Sequence, residues 1–71
     1  MKPQDYEIVI RPLGEAEGGG FGATVPELPG CMSDGESPQE ALENVYDAIM
    51  CWIEACEEMG RPVPEPKRVA A

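Results

Sequence analysis

"VPELPGCMSDGESPQEALENVYDAI", residues 25–49, contains a chain reversal, a short run with room for one strand, and a helix start. Ser37 reads as an N-cap, Pro38 as the first helical residue and Glu40 as the partner that completes a capping box. The apolar positions Leu42, Val45, Tyr46, Ile49, Ile53 and Cys56 then repeat at helical spacing and form one stripe. Gly60 ends the pattern and Pro62 prevents its resumption, so the spacing predicts a helix near 38–59.

Working back from the helix, "PELPG" breaks any strand. Each proline removes a backbone donor and holds its predecessor extended. A third strand can restart only after Gly30, near 31–33, and Gly30 and Gly35 read as positions that need backbone freedom. Upstream, "FGATV" alternates with Phe21, Ala23 and Val25 on one face, predicting a strand near 20–25. "YEIVIR" does the same with Tyr6, Ile8 and Ile10, predicting a strand near 5–11. Between them, "PLGEAEGGG" is a turn. Its glycines lead into a strand with no lysine following, which excludes a phosphate-binding loop. "RPVPEPKRVAA", residues 61–71, reads as an extended proline-rich tail that could close as a short last strand. The expectation is one α+β domain over residues 1–71, a three-stranded antiparallel sheet with one long helix packed on it.

Composition narrows the function. The net charge is −9, and between Arg11 and Arg61 there are eleven acidic residues and no lysine or arginine. Such a surface repels phosphate backbones, which argues against direct nucleic-acid binding, and it steers basic proteins inward. No apolar run approaches the ~20 residues that cross a bilayer, and "MKPQDYE" lacks the apolar core of a signal peptide. Cys31, Cys51 and Cys56 form no spaced framework and there is no histidine. Three reduced thiols in a cytoplasmic protein, with no metal and no cofactor, is the simplest reading. No serine or cysteine has a base beside it in sequence, and carboxylate pairs such as Asp5 with Glu7 are what this composition scatters everywhere. The chain is therefore read as a binding protein and not an enzyme.

Two flanks of the helix differ. Glu40, Glu43, Asp47, Glu54 and Glu58 form an acidic stripe, while Ala41, Ala48, Trp52, Ala55 and Met59 gather on the opposite flank. Small residues around one tryptophan allow close approach of a partner, or Trp52 packs on the domain's own sheet. The partner-binding candidates are Glu40, Glu43, Asp47, Glu54 and Trp52, with the acidic stripe expected to steer a partner and the sheet's outer face and loops expected to make the contact. So short a chain has a thin core, and "FGATV" offers an edge with few charges to block another strand. Trp52 and Met59 with their alanine neighbours offer a second surface on the helix flank, and either could close a two-fold dimer. Self-association as a dimer or higher homo-oligomer is expected, with the −9 repulsion screened within about 8 Å at ordinary salt.

Taken together, "YEIVI", the glycine turn, "FGATVPELPGC", "DGES", "QEALENVYDAI" and "GRPVPEP" resemble the HicB family of antitoxins over nearly the whole chain. The segments Val25 to Cys31 and Asp34 to Ile49 carry most of the likeness. The resemblance implies a partial RNase H-like fold and a role in binding and blocking HicA, a small basic toxin that cleaves messenger RNA and uses a histidine. Many HicB proteins also carry a C-terminal DNA-binding domain, and this sequence ends at Ala71 after the proline-rich segment, so DNA binding is not carried over. A second reading is a solitary oligomeric HicB-like module with a structural or regulatory role and no toxin.

Overall fold

The computed structural model describes residues 2–66. Three strands, β1 (Val9–Pro12), β2 (Phe21–Thr24) and β3 (Met32–Gly35), form an antiparallel sheet in the order β1-β2-β3. One helix, α1 (Pro38–Glu58), packs across one face. The α+β architecture read from the sequence is the one observed. The strand order corrects one expectation, since "FGATV" is not an edge. β2 is the central strand, paired along its whole length with β1 on one side and β3 on the other.

Alternation places each residue. Ile10, Ala23 and Ser33 lie in one row facing the helix, and Val9, Thr24 and Met32 in the neighbouring row facing away. The inner row feeds a core of Tyr6, Ala23, Val25, Leu28, Cys31, Ala41, Val45 and Ile49. Tyr6 is on the core side as its alternation requires, but it lies outside the strand. Pro3 sets a single 3₁₀ turn over Pro3–Asp5, so the ladder begins only at Val9. The glycine-rich connection contains a second 3₁₀ turn, Glu15–Glu17, and the Leu13 N–H donates to the Gly20 carbonyl at 2.8 Å to close the hairpin.

The "PELPG" segment is two consecutive proline-led turns. The Leu28 N–H donates to the Val25 carbonyl at 3.1 Å, and the Cys31 N–H to the Leu28 carbonyl at 2.9 Å. Gly30, with φ +81°, takes the third position of the second turn, where a left-handed backbone is required. This defers β3 to Met32, so Cys31 stands just before the strand rather than in it. Gly35 needs something other than freedom of φ. A Cβ there would lie 2.8 Å from the Glu40 carbonyl carbon, because the first turn of α1 rests directly on the end of β3.

At the helix start, Ser37 Oγ accepts the Glu40 N–H at 3.1 Å. The Glu40 carboxylate turns back to the Glu36 N–H at 2.9 Å, one residue earlier than a reciprocal capping box would use. The helix ends at Glu58, with Met59 as its cap. α1 lies mainly over β3 and β2 and reaches little of β1. That close seat makes Ala41 core, with no exposed surface, rather than part of an outer flank. Residues 61–66 run in no regular structure, and the remainder of the tail expected as a last strand lies outside the described residues.

Candidate functional site

The outer face of α1 is the most strongly patterned surface of the molecule. At 100° per residue, Glu40, Glu43, Asp47, Glu54 and Glu58 fall within an arc of about 60°, along about 27 Å of helix. All five are exposed. Glu40 is partly occupied by the bond to Glu36, whereas Glu43, Asp47 and Glu54 stand clear of the helix ends. Met50, three residues after Asp47 and four before Glu54, projects from the edge of the same face and is 50 % exposed. The sequence reading missed Met50 as a candidate, although its spacing from Glu43, Asp47 and Glu54 was available to find it.

Trp52 is not with the carboxylates. Its indole N–H donates to the Pro29 carbonyl at 3.0 Å, and its ring packs half-buried against the core. The alanine–tryptophan flank is accordingly divided. Ala41 is fully buried and Ala48 partly so, while Ala55 and Met59 remain exposed. Trp52, Met59, Pro29, Arg61, Pro62 and Pro64 border a cleft at the helix C-terminus.

The segment after the helix is tied down by two side chains. Cys56 Sγ shares its proton between the Arg61 and Pro62 carbonyls, at 3.4 and 3.3 Å. The Tyr6 hydroxyl donates to the Pro64 carbonyl at 2.7 Å. Burial first, then the nearby carboxylates of Glu27, Asp5 and Glu65, raise the Tyr6 pKa above the ordinary value of 10.0. Burial alone raises Cys31 above 9.0, which keeps it a thiol at neutral pH and a poor nucleophile.

Both shifts carry the same sign for stability. Each group is neutral below its pKa, and folding raises that pKa. The stabilisation is therefore fully present below the ordinary values of 9.0 for Cys31 and 10.0 for Tyr6, and is lost as pH climbs from there through the raised folded values. The urea midpoint should therefore hold up to about pH 8 and fall beyond it. Tyr6→Phe should flatten the upper part of that fall and cost about 1 kcal/mol at pH 7 for the lost hydrogen bond. An unchanged alkaline limb in Tyr6→Phe would show that the phenol is not responsible.

Among the described residues no group of three or more cysteine, aspartate or glutamate side chains is placed to hold a metal ion. The three cysteines are free, with Cys31 and Cys56 buried and Cys51 exposed. Among the described residues no helix is long and apolar enough to cross a membrane. The chemistry this surface offers is that of contact, with a row of carboxylates around an apolar side chain.

The UPF0150 protein ssl0259 of Synechocystis sp. is 37 % identical over 60 residues, covering 84 % of this chain and 78 % of its own. The UPF0150 protein Ta0767 of Thermoplasma acidophilum is 38 % identical over 59 residues, 83 % of this chain and 81 % of its own. Antitoxin HicB 1 of Photorhabdus laumondii is 29 % identical over 66 residues, which are 93 % of this chain but 41 % of that protein. Residues 6–71 match the HicB-like antitoxin of bacterial toxin–antitoxin systems, and the chain belongs to that family.

Proposed function

We propose that the protein is a HicB-type antitoxin that captures a small basic toxin of the HicA type, an enzyme that cleaves messenger RNA, through the outer face of α1. The observation that carries this reading is the exposed row of Glu43, Asp47, Glu54 and Glu58 with Met50 at its edge. An apolar anchor bordered by charge has the anatomy of a transient interface, and the carboxylates would draw a basic partner in. Glu40 and Trp52 contribute less, since each is engaged within the chain. The same reading takes the sheet and helix as a partial RNase H-like scaffold used for binding and not for hydrolysis. It also puts the protein in the cytoplasm, where messenger RNA is cleaved, without cofactor or direct nucleic-acid contact. Self-association belongs to it as well, because one helix over three short strands leaves a sheet face open.

The test is co-purification with the short basic protein encoded beside the gene. The triple variant Glu43→Lys, Asp47→Lys, Glu54→Lys should slow association by roughly 100-fold, with toxin activity on RNA restored. Capture unaffected by the triple reversal would remove α1 from the interface. If no basic protein is encoded there, the solitary oligomeric module is the better reading.

A further inference from the structure

The sheet face away from α1 carries two cross-strand rows. The first is Val9, Thr24 and Met32, and the second is Arg11, Gly22 and Asp34. Val9 and Met32 are 41 % and 62 % exposed, unusually open for large apolar side chains. Leu13 folds across the space above Gly22, its Cδ2 3.1 Å from where a Cβ would stand. Arg11 and Asp34 occupy the two outer strands of one row, about 10 Å apart at the backbone given the usual strand spacing.

This arrangement is complementary to itself. A two-fold axis laid along β2, between two such faces, exchanges β1 with β3 and leaves the rows in line. Arg11 then meets the partner's Asp34 and Val9 the partner's Met32, each pair twice, while Thr24 meets its own copy and the Leu13 side chains fill the centre over Gly22. We propose that a second copy of this chain docks here, giving four layers in the order helix, sheet, sheet, helix. The charge distribution selects this face. It carries Arg11 and Asp34 as an opposed pair with one further carboxylate, Glu17, at its hairpin end, whereas the five-carboxylate row of α1 is on the far side. Face-to-face packing leaves the two acidic helices outermost, separated by several times the screening length of about 8 Å. Aligned sheets of ordinary twist pack about 10 Å apart in this manner. Three short strands offer less than the about 800 Å² per partner of a standard interface, so the pair is expected to be weak and its population to depend on concentration.

The proposal deepens the self-association reading and is independent of the toxin. Sedimentation equilibrium on the full chain, from 5 µM to 1 mM, tests it with Arg11→Asp, Asp34→Arg and the double exchange. Each single variant places like charges opposite each other twice and should weaken the pair about tenfold or more. The double variant restores opposite charges and should return to within about threefold of the original. Rescue by the double exchange also rules out misfolding as the cause of the single losses. A strictly monomeric chain up to 1 mM would overturn self-association itself. A dimer indifferent to the single exchanges, or one that the double exchange does not restore, would place the contact on another surface and overturn this one.

Discussion

Replacing Gly35 by alanine is expected to cost about 3 kcal/mol, at the upper end of what one added methyl does in a packed site. A Cβ at that position would lie 2.8 Å from the Glu40 carbonyl carbon and 2.9 Å from the Glu40 Cβ, and nearest of all to the Ala41 nitrogen. Two of these are backbone atoms of the first turn of α1. They cannot shift without lifting Ala41, which is fully buried, and loosening the Ser37 cap beside it. Relief on the other side is also closed, because Gly20 approaches the Gly35 carbonyl so nearly that its own Cβ would come within 2.6 Å. A domain of this length holds only about 4–10 kcal/mol in total. Thermal unfolding followed by circular dichroism should show the midpoint fall by about 12–24 °C. Gly30→Ala is the control. It has φ +81° and nothing within 4 Å of the added carbon, so it bears backbone strain alone, about 1 kcal/mol. Equal losses in the two variants would refute the close seat of helix on strand.

Much of this fold was legible because its signals are local. Ser37 followed by Pro38 fixes a helix start wherever it occurs, and the alternation through Ile8–Ile10 and Phe21–Val25 sends the right side chains inward. The acidic row was legible for the same reason, since exposure on a helix follows its period. What escaped depends on how elements sit against each other. Strand order is set by two successive turns and not by any residue of "FGATV", so the central strand was read as an edge. Ala41 looked like a small residue on a flank, yet smallness is what lets α1 approach β3 closely enough to bury it. Tyr6 kept its face but lost its strand, because Pro3 starts a 3₁₀ turn that alternation does not register. Met50 escaped because an apolar residue near an acidic row interrupts the pattern being counted.

Leu28 escaped for a further reason, and its removal is the second large effect expected. Within "PELPG" the prolines and glycine mark a reversal, and such residues are read as surface loop. The two turns instead turn Leu28 inward, where it is fully buried in the same core cluster as Val45 and Ile49. The loop is therefore a plug closing one end of the core, and Trp52 latches it from above through the Pro29 carbonyl. Leu28→Ala should cost about 3 kcal/mol or more, the sum of lost burial and a cavity that two proline-held turns cannot collapse. Trp52→Phe, which keeps most of the ring area and removes the indole N–H, should cost only about 1 kcal/mol. If the loop packs as a unit, Leu28→Ala also frees the latch, and adding Trp52→Phe to it should cost less than Trp52→Phe does alone. Urea unfolding of the two single variants and the double measures that coupling. A Leu28→Ala loss under 1 kcal/mol, or strict additivity with Trp52→Phe, would return the loop to the plain chain reversal that its composition suggests.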